Sequence, residues 1–301
     1  MNRREKRVYS IDKLKLCYKQ DSDTFTELVR AYNLNGDNIN KTITRENYTL
    51  HLIDHSCNDE EVTAITFSIC FIIDNHSHKL GVFEMKKAAR YCFFNFENRA
   101  LYTTANDSHK NCVNIIEHIV EDMELIFNNI TTLEIAMDTN RNYIDRVRRY
   151  IRDYQRYDLF INGKLIKDET ATIPNYLKAY SSSRRKMSRQ PTLYFRHREQ
   201  DGIQLKIYNK RKEMTESEPV KLNYIPQWGG FETSEPIYRV EITVKNRDIK
   251  EYFTAIGLKA EEAMNFITSP KLLENMWLYE ADRLIYFRDK ATGTIIRLAD
   301  I

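Results

Sequence analysis

The stretch Thr132-Leu133-Glu134-Ile135-Ala136-Met137-Asp138 alternates apolar and polar side chains, and its reading decides the fold. Successive side chains of a β-strand point to opposite faces, so Leu133, Ile135 and Met137 share one face while Glu134, Ala136 and Asp138 share the other. Two later segments repeat the pattern. In 203–210, Ile203, Leu205 and Ile207 oppose Gln204, Lys206, Tyr208 and Lys210. In 238–244, Tyr238, Val240, Ile242 and Val244 oppose Arg239, Glu241 and Thr243. Set side by side in one sheet, these strands offer an apolar face to a core. The opposite face then presents Glu134, Asp138, Glu241, Tyr208, Lys206, Lys210 and Arg239 together.

Working outward, 142–156 carries Ile144, Val147, Ile151 and Tyr154 at helical spacing, with Arg146, Arg149, Arg152 and Arg156 on the other side. Asn162-Gly163 predicts a hairpin turn. A basic, serine-rich loop is expected over 181–189, and strands over 192–198 and 203–210 are joined near Asp201-Gly202. Upstream, 9–18, 63–73 and 80–85 read as strands, and 23–34 and 111–127 as helices. Downstream, a helical tail from about 247 to 282 precedes a hairpin at Thr292-Gly293. The expected class is α+β, mainly antiparallel sheet with packed helices, a pattern that allows two related halves. The expected division is an N-terminal α+β region (1–130), a catalytic unit (131–250) and a mostly helical C-terminal segment (251–301).

Composition is that of a globular protein: 42% hydrophobic and 30% charged residues, with only eight Gly and six Pro to form linkers. The five cysteines (Cys17, Cys57, Cys70, Cys92, Cys112) are odd in number and widely spaced. They predict free thiols in a reducing compartment, not a zinc cluster or a disulfide framework. The longest apolar run, 62–73, is too short to span a bilayer, so no membrane partner is expected. Net charge is only +3, but 141–212 holds 19 Lys or Arg against 7 Asp or Glu, leaving 27 against 36 elsewhere. A positive excess so concentrated points to a polyanion.

The polar sheet face has the parts that phosphodiester transfer needs. Three carboxylates on one surface (Glu134, Asp138, Glu241) repel one another until a Mg²⁺ or Mn²⁺ ion relieves them and polarises a phosphate. Tyr208 is a candidate nucleophile that gains from nearby cations, and Lys210 and Arg239 are placed to neutralise charge on phosphate oxygens. Tyr194 is the rival nucleophile, from the neighbouring strand. Arg146, Arg149, Arg184, Arg185, Lys186, Arg196 and Lys206 are candidate DNA contacts. His76-Ser77-His78 has the outline of a metal-binding histidine pair, but its centre is polar and it falls in an expected turn. His197 is at most a phosphate contact.

The segments Leu133–Asp138, Thr192–Phe195 leading to Leu205–Lys210, and Tyr238–Ile242, in that order, resemble the replication initiation factor family (Rep_trans). That family comprises initiators of rolling-circle plasmid replication, phage replication proteins and relaxases of conjugative elements. The resemblance covers about residues 130–250, and Ile11-Asp12-Lys13-Leu14 suits how such chains start. It implies that Tyr208 is the nucleophile and that Glu134, Asp138 and Glu241 bind the metal. The chain departs from the pattern in having Glu134 for Asp, Asn209 where an acid often follows the tyrosine, and Arg196-His197-Arg198 for Gly-Ser-Arg. The resemblance implies site-specific nicking and religation of origin DNA in a bacterial cytoplasm, with a helicase as partner, since no P-loop is present. Oligomeric state is left open, a dimer being one option. The competing reading keeps the basic sheet surface for DNA binding without catalysis.

Overall fold

The computed structural model describes residues 4–59, 61–73, 76–103, 108–168, 183–196, 202–259 and 262–301. Its class is α+β with a large antiparallel sheet. The chain forms two compact units. Unit 1 is Met1–Asp12, Glu134–Lys259 and Asn265–Ile301; unit 2 is Lys13–Leu133 and Ala260–Met264. The long strands β1 (Arg7–Lys19) and β7 (Ile126–Thr139) contribute residues to both. The expected cut at 250 does not appear: Asn265–Ile301 belongs to unit 1 with Glu134–Lys259, and it includes strands as well as helices.

In unit 2, helix α1 (Ser22–Ala31) is capped by Asp21, whose carboxylate accepts from the Asp23 and Thr24 amides. Strands β2 (Thr42–Thr44), β3 (Tyr48–Asn58), β4 (Glu61–Ile73), β5 (His76–Lys86) and β6 (Tyr91–Phe96) follow, then helices α2 (Asn98–Thr103) and α3 (Ser108–Asp122). The strands run in the order β7-β1-β6-β5-β4-β3-β2. Their core is aromatic: Phe67 and Phe83 stack at 5.6 Å, and Phe83 meets Phe94 at 5.1 Å. His78 lies within β5, not in a turn, with its ring against Phe71.

Unit 1 continues with α4 (Tyr143–Arg152), β8 (Tyr157–Ile161), β9 (Lys164–Ile166), α5 (Arg184–Met187), β10 (Leu193–Arg196), β11 (Gln204–Asn209), α6 (Lys210–Ser217) and α7 (Ile225–Trp228). It ends with β12 (Tyr238–Lys245), α8 (Asn246–Ile256), α9 (Ala263–Thr268), α10 (Pro270–Leu284), β13 (Ile285–Asp289) and β14 (Ile295–Arg297). The main strands run β10-β11-β12-β7-β1, and a second sheet runs β14-β13-β8-β9. Leu205, Ile207, Val240, Ile242 and Val244 are fully buried, and α4, α8 and α10 pack on β12. Trp277 on α10 is enclosed in this core and donates its indole N–H to the Val240 carbonyl at 3.1 Å. Asn162 (φ 50°) and Gly163 (φ 71°) both adopt positive φ, the requirement of the two-residue turn that joins β8 to β9.

The expected tail helix is three helices. Gly257, at φ 71°, closes α8 in a left-handed cap, and Pro270 opens α10. The helix predicted over 111–127 stops at Asp122, and Ile126 already belongs to β7. The basic segment is partly helical: Ser183 caps α5 by accepting from the Lys186 amide. Residues 181–182, 197–198 and 201, to which parts of the expected basic loop and hairpin fall, lie outside the described residues.

Candidate active site

The pairing register assembles the polar face that the alternation predicts. On β11 and β12, Lys206 stands opposite Glu241 and Tyr208 opposite Arg239; on β10, Tyr194 stands opposite Lys206. The Tyr208 hydroxyl donates to Glu241 Oε2 at 2.9 Å, and Lys206 Nζ donates to Glu241 Oε1 at 2.6 Å. Thr243 Oγ1 donates to Glu134 Oε2 at 2.7 Å, tying β12 to β7. Both oxygens of Glu241 are thus engaged while its side chain stays almost wholly buried.

The three acids that converge are Asp12, Glu134 and Glu241, with one carboxylate oxygen of each lying within 4.8 Å of the others. Asp138, the expected third member, is elsewhere. The fully buried Arg239 grips both of its oxygens, Nε–Oδ1 and Nη2–Oδ2 each at 2.7 Å, and a third donor, Nη1, reaches Asp12 Oδ1 at 2.5 Å. A guanidinium removed from water needs its charge matched, and two carboxylates supply that here. Arg239 therefore does not reach toward a phosphate. It is a positioning residue that fixes Asp12 beside the other two acids. Asp12 was missed as a site residue because its strand neighbours are far away in sequence.

The acids and the tyrosine face a cavity of about 590 Å³, also lined by Tyr194, Asn209, Lys210 and Glu213. Burial, reinforced by the charge of Glu241, holds the Glu134 carboxyl above its usual range, against the pull of Thr243 and Lys206. Burial would push the Lys206 ammonium down, but Glu241 and Glu134 hold it above its ordinary value. Burial also raises the Tyr208 phenol well above the ordinary tyrosine value, opposed by Arg239 and supported by Glu241. Lys210 opens α6, whose cap is Asn209; it pairs with Glu213 at 2.9 Å and lies 5.7 Å from the centre of the Tyr208 ring. Burial and the nearby Arg239 lower its pKa.

The donor set fits a hard divalent cation: three carboxylates converge with no thiolate or imidazole among them, and the charge of Glu241 adds to burial in raising the Glu134 carboxyl.

The expected DNA contacts divide. Arg149, Arg185 and Lys186 are exposed. Arg146 is half-buried and bridges Glu5 and the Ile301 backbone oxygen, and Arg196 donates to Gln204 on the neighbouring strand. Arg184 is not on the surface. It is fully buried and donates to the carbonyls of Tyr150, Ile151 and Tyr157, and burial pushes its pKa down to about 10. Lys206 is committed to Glu241 inside the cavity.

Comparison with models of known protein families finds no match, and comparison with curated proteins finds none. Among the described residues, no helix is long and apolar enough to cross a membrane.

Proposed function

We propose that this chain nicks and reseals single-stranded DNA through Tyr208, as an initiator of rolling-circle replication or a relaxase of a conjugative element. The observation that carries the reading is the Tyr208 hydroxyl donating to Glu241 Oε2 at the edge of the Asp12–Glu134–Glu241 cluster, beside Lys206 and Lys210 on one cavity. The phenol is a poor nucleophile while it keeps its proton, and the carboxylate already hydrogen-bonded to it is the natural acceptor. Tyr208 Oη bonds to phosphorus as the P–O3′ bond breaks. The phenol proton passes to Glu241, the leaving 3′ oxygen takes a proton from water to become the free hydroxyl that primes synthesis, and Glu241 returns its proton to solvent. The tyrosyl phosphodiester conserves the bond energy, so attack by a 3′ hydroxyl reverses the step without ATP. Lys206 and Lys210 lie where charge on the phosphate would develop. Asp12, Glu134 and Glu241 would hold the Mg²⁺ or Mn²⁺ ion, which supplies polarisation of the phosphate when bound. Strand unwinding falls to a partner helicase, and a bacterial cytoplasm is the setting that suits the reading.

The test is a denaturing gel of the protein with labelled single-stranded oligonucleotides tiling its element's origin, with Mn²⁺ or chelator, beside Tyr208→Phe. A metal-dependent covalent adduct that disappears in the variant supports the reading. Tight binding without an adduct on any origin sequence supports a binding protein that does not cut.

A further inference from the structure

A second cavity of unit 1, of about 330 Å³, is lined by Arg146, Arg149, Tyr150, Asp153, Tyr157 and Ile301. It lies where α4 ends and β8 begins, and shares no lining residue with the cavity at Tyr208. Its volume is at the lower end of small-ligand pockets and suits a single nucleotide. Two of its walls are aromatic. The Tyr150 and Tyr157 rings lie 4.8 Å apart, Tyr150 meets Phe287 at 5.2 Å, and the Arg156 guanidinium sits 5.0 Å from the centre of the Tyr157 ring. Base stacking on such rings is a main source of affinity for single strands.

The surroundings are cationic and mostly uncommitted. The Arg149 side chain is exposed and has no hydrogen bond or ion pair among the described residues, and the same holds for Lys186 and Arg189 on and just after α5. The buried Arg184 anchors α5 to the carbonyls of Tyr150, Ile151 and Tyr157, in the segments that line the cavity. Arg146 of the lining is paired with Glu5, but the exposed cations left over favour a polyanion. The exposed Asp153 is different in kind. Its carboxylate on the cavity wall accepts hydrogen bonds and donates none, so it favours a base with an exocyclic amine and disfavours thymine.

We propose that this cavity is a nucleotide subsite for single-stranded DNA, in which Tyr150 and Tyr157 stack an amino-bearing base, Asp153 accepts from its amine and Arg149 holds its phosphate. It rests on the DNA reading above and adds to it a place where sequence is read away from the scissile bond.

The full chain is titrated into fluorescein-labelled oligo(dC) and oligo(dT), with fluorescence anisotropy as readout, for wild type, Arg149→Ala and Asp153→Ala. Oligo(dC) is expected to bind about fivefold or more tighter than oligo(dT). Asp153→Ala removes that preference. Arg149→Ala weakens both and lowers the salt slope by about 1. Both substituted positions are exposed, and a matching thermal melt confirms folding. Binding that ignores Arg149 and Asp153, or that shows no base preference, overturns the subsite alone. Absence of binding by wild type overturns it together with the DNA reading, and the covalent-adduct assay judges the nicking step separately.

Discussion

Asp12, Glu134 and Glu241 on one hand, and Asp248 with Glu280 on the other, are two groups of like charge in the same unit, and the fold treats them in opposite ways. The first opens on a cavity and is balanced by Lys206, by the Tyr208 and Thr243 hydroxyls and, through Asp12, by Arg239. The second is sealed between α8 and α10, with both residues fully buried. Neither Asp248 oxygen accepts a hydrogen bond, and Glu280 has Arg283 at 3.2 Å. Burial, with Asp248 beside it, pushes the Glu280 carboxyl up to about 7 even though Arg283 opposes this. The sealed pair has arginines at its margin, Arg283 on Glu280 and Arg247 3.9 Å from Asp248, whereas the open cluster is served by donors that face a cavity. Donors that face a cavity can be exchanged for a ligand, whereas a sealed pair is out of a ligand's reach.

The largest expected effect breaks the open cluster at its nucleophile: Tyr208→Phe drops covalent adduct to background, a loss of roughly a thousandfold or more, with folding intact by circular dichroism. Next is the support beneath it. Arg239→Met leaves Asp12 and Asp138 buried without a counter-charge and is expected to cost about 3–5 kcal/mol in urea denaturation. A cation sharpens the comparison further. Saturating Mn²⁺, at about a hundred times its dissociation constant, stabilises wild type by about 2.7 kcal/mol, and Glu134→Gln removes the thermal shift. The smallest effect concerns the sealed pair. Because the folded Glu280 pKa lies above its ordinary value of 4.5, its favourable contribution is complete below that pH and is lost as pH rises through about 7. Glu280→Gln should flatten the fall in stability between pH 5 and 8 by about 2 kcal/mol, read from denaturation midpoints.

The strands that carry the site were legible because period-two alternation survives in 133–138, 204–209 and 238–244. Alternation failed where the backbone departs from it. A bulge between Leu52 and Asp54 disrupts β3, and the polar Asn128 and Asn129 conceal the start of β7. Within the site, Tyr208, Lys206, Glu134 and Glu241 meet as their shared face requires, but that face cannot say which acid an arginine will take. Arg239 takes both oxygens of Asp138 and one of Asp12, and it is Asp12 that joins the cluster. Arg184 was read as a surface cation because arginine usually is one. Three backbone carbonyls from α4 and β8, invisible to any pattern of side chains, draw it inside.

The central claim is best tested by locating the bond itself. The adduct formed on an origin oligonucleotide in Mn²⁺ is digested with nuclease and trypsin, and the peptides are sequenced by tandem mass spectrometry. The account predicts a nucleotide phosphate on Tyr208, in the peptide spanning residues 207–210. A nucleotide on Tyr194, or no modified tyrosine in a reaction that has cut the DNA, would contradict it.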